Sequence, residues 1–186
     1  AYSLFMQFKY DEAIPLYEKL IAQGFDNFES NFILGLCYED QPDNEKALKH
    51  YQKAVQFKND NATCLFHLAL VENAFNMDSL SMAHFNQSLE VSLPKGRALR
   101  TYKWLADLHF QHHRYADAAR DFELCILYDE EDNPLNYYNA AQMFIASKNK
   151  LKAKLYLQMF LANANRLEDK KEAAQLISKA KEQLKQ

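Results

Sequence analysis

A segment of about 34 residues recurs along the chain, and this repeat limits the possible folds more than any other feature of the sequence. Five short segments each carry a small residue followed four positions later by a large one. They start at Ala13, Ala47, Ser81, Ala118 and Ala153, at steps of 34, 34, 37 and 35 residues. Because residues four apart share one face of a helix, each segment predicts one amphipathic helix.

A second pattern recurs about twelve residues before four of these segments. It comprises Leu34-Gly35, Leu68-Ala69, Leu105-Ala106 and Ala140-Ala141. Small side chains allow two helices to approach to about 8–10 Å, so the pattern predicts a second helix in each unit, packed closely against the first.

Composition excludes several other classes of protein. Only 3 glycines and 4 prolines occur in 186 residues, which disfavours turn-rich β structure. The glycines are too far apart for the glycine-rich loops that bind nucleotides or for a hydrolase nucleophile elbow. With a net charge of −3 and both signs interspersed, the sequence predicts neither nucleic-acid binding nor attraction to an anionic membrane, and no apolar run is long enough for membrane insertion.

The spacing resembles the tetratricopeptide repeat, a helix–turn–helix unit of 34 residues. The resemblance is closest between residues 26 and 59, where the family positions hold Leu34, Gly35, Tyr38, Ala47, Tyr51 and Ala54. In the next two units, Glu72 and His109 stand where the family has an interior aromatic residue. Five units in phase make the resemblance specific.

The resemblance implies an all-α, right-handed α-solenoid of antiparallel helix pairs. About 4.5 units are expected, at 1–25, 26–59, 60–94, 95–132 and 133–165, followed by a C-terminal capping helix within 166–186. The cap is predicted from the helical spacing of Ala173, Leu176, Ile177, Ala180 and Leu184. The alternative is that this last helix binds a partner separately.

Local signals predict where several helices start. Asp26 and Glu29 have the spacing of a capping box, and Asn133-Pro134 reads as an N-cap followed by proline in the first turn. Pro15 is expected to distort its helix without breaking it. Three extra residues near Pro94 are expected to loosen or bend the stack.

Few residues indicate chemistry. His109, His112 and His113, with Asp107 nearby, have metal-compatible spacing, but their different helical phases favour a structural interpretation. The sequence therefore predicts no metal, no cofactor and no catalytic residues. The remaining isolated histidines, His50, His67 and His84, are expected at the surface or in packing.

The cysteines bear on the compartment. Cys37, Cys64 and Cys125 are odd in number and lie in apolar surroundings, so they are predicted to be buried thiols. We expect a cytoplasmic protein. Because the chain begins with Ala1, an exported or periplasmic protein whose leader is absent from this chain is the alternative.

The resemblance implies that the first helix of each unit lines a concave groove for a peptide or a partner helix. By helical phase, the groove residues are Tyr2, Phe5, Phe32, Leu36, Glu39, Phe66, Leu70, Asn73, Lys103, Asp107, Phe110, Tyr138, Gln142 and Ile145. The alternative is that some of these rings pack on neighbouring units. A clamp for two carboxylates, known in the family, is disfavoured because only Lys103 stands at such a position.

We therefore expect a non-catalytic protein-interaction module or scaffold that binds a protein or peptide partner. The alternative is a structural spacer, or a subunit of a larger assembly, that contacts partners by its convex face or its N-terminal end.

Overall fold

The computed structural model describes residues 1–185, and within them every regular element is helical. This part of the chain contains eleven α-helices, at Tyr2–Met6 (α1), Tyr10–Ala22 (α2), Phe28–Asp40 (α3), Asn44–Phe57 (α4), Ala62–Ala74 (α5), Asp78–Val91 (α6), Lys95–Gln111 (α7), Tyr115–Tyr128 (α8), Pro134–Ala146 (α9), Lys150–Asn163 (α10) and Lys170–Gln183 (α11). A short 3₁₀ helix, Ala164–Arg166, follows α10. The predicted all-α helical repeat is confirmed.

The helices pack in sequence order within two compact units. In the first unit, Ala1–Leu93, helix α2 packs on α3, α3 on α4, α4 on α5 and α5 on α6. In the second unit, from Pro94 onward, α7 packs on α8, α8 on α9 and α9 on α10. Turns of three residues join α3 to α4 and α7 to α8, so each pair is antiparallel.

Small residues lie where the helices approach each other, as the repeat predicts. Ala69, Ala106 and Ala141 are completely buried, and Gly35 on α3 lies against the ring of Tyr51 on α4. A side chain at Gly35 would overlap that ring, so the short residue sets how closely this pair can pack.

One of the two predicted helix N-caps is confirmed, and the other is wrong. Asn133 caps α9 by accepting a hydrogen bond from the Leu135 amide, with Pro134 in the first turn. For α3, however, the predicted cap was wrong: Asn27 accepts from the Ser30 amide, whereas the Asp26 carboxylate accepts from the side chain of Asn31. The register differs by one residue because Asp26 bonds to a side chain rather than to the helix terminus.

Two expected irregularities are accommodated inside helices. Helix α2 continues through Pro15, whose side chain is exposed. The extra residues near Pro94 lengthen α7, which has 17 residues where α3, α5 and α9 have 13. The boundary between the two compact units falls at the same place.

Helix α11 covers the last helix pair. Leu176, Ile177 and Ala180 pack in a core with Leu157 and Phe160 of α10. The final residue of the predicted cap, Gln186, lies outside the described residues.

Buried cysteines provide a test of the core. Cys37, Cys64 and Cys125 are completely buried, and burial raises the pKa of Cys37 to about 11 and those of Cys64 and Cys125 to about 12. Only the thiolate reacts with alkylating reagents, so both burial and the raised pKa protect these thiols.

We therefore expect iodoacetamide at about pH 8, close to the pKa of a free thiol, to modify all three cysteines in denaturant and none of them rapidly in the folded chain. Mass spectrometry over time measures the modification. Equal rates with and without denaturant would contradict the assigned core.

Candidate functional site

An open groove of about 360 Å³ lies in the first unit, where the first helices of three successive pairs come together. Its lining residues come from α1, α2, α3 and α5, and are Phe5, Tyr10, Leu36, Glu39, Asp40 and His67. We call it the acidic groove, because this lining holds two carboxylates and no lysine or arginine.

Helix α3 supplies half of the lining. Leu36, Glu39 and Asp40 are spaced at i, i+3 and i+4, which places them on one face of the helix. Leu36 and Glu39 are half-buried, whereas Asp40 is exposed at the rim. One helix thus presents an apolar contact and two negative charges side by side.

Glu39 is held in a fixed position by neighbours from two other helices. Its Oε2 accepts a hydrogen bond from the Tyr51 hydroxyl at 2.5 Å and faces Nδ1 of His67 at 2.9 Å. Burial, and then the charge of Glu39, raise the pKa of Tyr51, so the phenol stays protonated and continues to donate. A charge-assisted hydrogen bond of this kind orients the carboxylate.

Aromatic rings form the walls of the groove. Phe5 and Tyr10 lie 5.9 Å apart between ring centroids, and His67 stacks on Tyr51 at 5.9 Å. Burial, followed by the charge of Asp40, raises the pKa of Tyr10, so this phenol also stays neutral. The groove therefore combines ring faces with negative charge, which suits an apolar or cationic side chain.

The predicted groove residues of the first unit fall into three groups. Phe5, Leu36 and Glu39 line the groove. Tyr2 is 61% exposed next to Phe5, while Phe32, Leu70 and Asn73 are half-buried.

Phe66 does not belong to this surface. It is 1% exposed and packs on the buried ring of Phe85 on α6, at 5.9 Å between ring centroids. The predicted role of Phe66 as an exposed anchor was wrong, and the next residue, His67, faces the groove instead.

Three lining residues were not predicted, namely Tyr10, Asp40 and His67. Asp40 lies next to a predicted residue on the same helix, so a wider helical face would have included it. His67 was expected at the surface or in packing, and its contact with Glu39 joins α5 to α3 across 28 residues of sequence.

In the second unit, α11 covers part of the predicted groove face. The side-chain amides of Gln142 on α9 and Gln183 on α11 exchange two hydrogen bonds, each 3.0 Å long. Tyr138 packs on Phe160 at 5.1 Å. Gln142 is therefore half-buried and hydrogen-bonded within the chain.

The other predicted residues of the second unit remain accessible to different degrees. Phe110 is 49% exposed and Ile145 is 41% exposed. Lys103 is half-buried. Asp107 is an exposed residue, but partial burial of its carboxylate raises the pKa of that group.

Two further histidines face carboxylates inside helix pairs. Nδ1 of His84 lies 2.7 Å from the carboxylate of Glu72, and Nδ1 of His109 lies 2.6 Å from that of Asp121. Each pair occupies the interior position that Tyr38 and its stacked neighbour His50 fill in the second repeat. Glu72 and His109 thus replace the expected aromatic residue with a hydrogen-bonded pair, and His84 packs against Glu72, one of the two placements expected for it.

The remaining histidines of the sequence cluster do not converge on His109. Nδ1 of His113 contacts the Tyr115 hydroxyl at 2.9 Å, on the exposed turn before α8. Among residues 1–185, no group of three or more histidines, cysteines and carboxylates is arranged to hold a metal ion. Within the same residues, no helix has the length and apolar character needed to cross a membrane.

Comparisons with known proteins agree with this architecture. A family model described as anaphase-promoting complex, cyclosome, subunit 3 matches residues 6–77. No curated protein sequence matches the chain significantly.

Solved structures share the fold at low sequence identity. YrrB, described as a TPR protein with an unusual peptide-binding site, has a TM-score of 0.75 and 14% identity, covering 94% of this chain and 87% of that chain. MamA has a TM-score of 0.72 and 15% identity, with coverages of 88% and 94%. A chain of the APC/C hetero-tetramer Cut9-Hcn1 has a TM-score of 0.63 and 16% identity, covering 96% of this chain and 34% of that one.

Proposed function

We propose that this chain, which has the tetratricopeptide-repeat fold, is a non-catalytic interaction module whose acidic groove binds a segment of a partner protein. The observation that carries the proposal is the groove itself, where α1, α3 and α5 set aromatic rings around a fixed carboxylate. The peptide-binding site named for YrrB, which shares the fold, supports the same kind of role.

The lining indicates what the segment should contain. Phe5, Tyr10 and Leu36 offer apolar contact, while Glu39 and Asp40 favour a positive charge. An apolar side chain next to lysine or arginine satisfies both, with the cation over a ring or beside the exposed Asp40. Glu39 is already oriented by Tyr51 and His67, so binding a partner should cost little conformational entropy at this side chain.

A peptide selection followed by charge reversal tests this proposal. We expect random peptides selected on the chain to be enriched in apolar residues flanked by lysine or arginine. For a selected peptide, Asp40→Lys should weaken binding about tenfold, which corresponds to about 1.4 kcal/mol, as measured by fluorescence anisotropy. Asp40 is exposed, so the fold should be unaffected.

A matched reversal provides the control. Asp60→Lys changes the net charge equally at an exposed position in the turn between α4 and α5, and it should leave the affinity unchanged. Enrichment of acidic peptides, or equal affinity of the Asp40→Lys variant and the parent, would refute the groove assignment.

A second candidate function is contact through the N-terminal end. Tyr2, Met6 and Phe8 are 61%, 57% and 78% exposed, and together they give the α1 region an apolar surface. Apolar patches of this kind mark protein-binding surfaces. If this surface rather than the groove is used, replacing Tyr2, Met6 and Phe8 with serine should abolish binding of the selected peptide while Asp40→Lys leaves it intact.

A further inference from the structure

A second cavity, of about 460 Å³, lies in the second unit beside the capping helix. The end of α9, the first half of α10 and the end of α11 enclose it. Its apolar lining comprises Ile145, Ala153, Leu157 and Leu184. This volume is within the ~300–1,000 Å³ typical of ligand pockets, and the cavity offers more apolar than polar lining.

Three lysines stand around this apolar floor. Lys148, Lys150 and Lys154 line the cavity and are exposed, and no aspartate or glutamate lines it. We call it the lysine-rimmed cavity. None of the three makes an ion pair with any residue from 1 to 185, whereas Lys152, on another face of α10, pairs with Glu123 at 2.8 Å.

The helix terminus adds to this positive charge. Lys150 is the first residue of α10, and Asn149 caps the helix by accepting from the Lys152 amide at 3.2 Å. The N-terminus of a helix carries a partial positive charge, which adds to that of the lysines. An anion at this rim would therefore meet three cations and a favourable helix dipole.

The floor indicates that the ligand is more than an anion. Ile145 is 41% exposed, so a well-placed apolar side chain could bury it further. A free phosphate or carboxylate would satisfy the lysines but would leave this floor uncovered. A short peptide that places one apolar side chain between acidic residues satisfies both parts of the cavity.

We propose that the lysine-rimmed cavity binds a short acidic segment of a partner protein, with one leucine-sized side chain on the apolar floor and carboxylates against Lys148, Lys150 and Lys154. This inference does not depend on the acidic groove, which has the opposite charge and belongs to the other unit. The chain would then carry two docking sites that select partner segments of opposite charge.

Three fluorescein-labelled peptides test the chemistry. The probe is acetyl-Asp-Glu-Leu-Leu-Asp-Glu-amide, and the comparisons replace either its leucines by serine or its acidic residues by lysine. We expect the probe to bind at least about tenfold more tightly than either comparison, by fluorescence anisotropy. Binding should weaken strongly near 1 M NaCl, where the Debye length is about 3 Å.

Charge reversal locates the site. Lys150→Glu with Lys154→Glu should weaken probe binding at least about tenfold. The control is Lys171→Glu with Lys179→Glu, an equal change of charge at exposed positions of α11, and it should have no effect. Ile145→Ser should weaken the probe but should not change the weak binding of the serine peptide. The circular dichroism of each variant reports whether the fold is retained.

Other outcomes would overturn the proposal. Equal binding of all three peptides would show that the cavity does not combine charge and apolar recognition, and binding of the serine peptide as tightly as the probe would reduce it to an anion site. If Lys150→Glu with Lys154→Glu dissociated an oligomer in sedimentation equilibrium, the occupant would be a second copy of the chain. Asp40→Lys should leave probe binding unchanged, so failure here is distinguishable from failure of the acidic groove.

Discussion

Replacing Ala47 with glutamate is expected to unfold the first unit or to lower its free energy of unfolding by about 3 kcal/mol or more. Ala47 lies on α4, is completely buried, and belongs to a core with Leu34 and Tyr51. A carboxylate there would be larger than the available space and would lose its hydration without gaining a partner. Thermal and urea unfolding followed by circular dichroism measure the change.

An exposed substitution on the same helix gives the control. Gln52→Glu adds the same charge at an exposed position of α4 and should change stability by less than about 0.5 kcal/mol. Ala118→Glu, at a completely buried position of α8, should destabilise the second unit in the same way. Retained stability in both buried variants would show that the phase of the repeat is wrongly assigned.

Replacing Gly35 with alanine should destabilise the chain by about 1–3 kcal/mol, although alanine favours helices. The added Cβ would lie 2.5 Å from Cδ1 and Cε1 of Tyr51. Tyr51 is completely buried and its hydroxyl is bonded to Glu39, so the ring cannot move away easily. The steric overlap should therefore exceed the gain of at most about 1 kcal/mol from helix propensity.

A double-mutant cycle separates the overlap from other effects. In the Tyr51→Leu background the obstructing ring is absent, so Gly35→Ala should be neutral or stabilising. The coupling energy between the two substitutions then measures the energetic cost of the steric overlap. Gly96→Ala on α7 is the control, because no atom lies within 4 Å of the added Cβ. It should not destabilise the chain. An equal loss at Gly35 and Gly96 would argue against steric overlap as the cause.

The helix pairs could be predicted because their signals are local. A small residue and a large one four positions later define a helix face within one turn, and each pair is closed by its immediate neighbours in sequence. The same reasoning identified Phe5, Leu36 and Glu39, which lie on first-helix faces. It did not identify Tyr10, because Tyr10 begins the second helix of its pair.

The predicted accessibility is lost or reduced where contacts join distant segments. Phe66 has the helical phase of a groove residue, but Phe85 on α6 takes it into the core. Gln142 has the same phase on α9, yet α11 binds it from 41 residues away. In both cases the side chain is covered by a residue whose position depends on how another helix packs.

The sequence by itself determined that this protein is a helical repeat, because spacing alone sets which residues share a helix face and where small residues allow helices to approach. Only the tertiary structure decided which of those residues stay accessible, which histidines meet carboxylates, and where Lys148, Lys150 and Lys154 surround an apolar floor. The exposure of a side chain and its pairing with a charge depend on atoms from several helices at once. Because those helices are far apart in sequence, no local pattern predicts that they will be in contact.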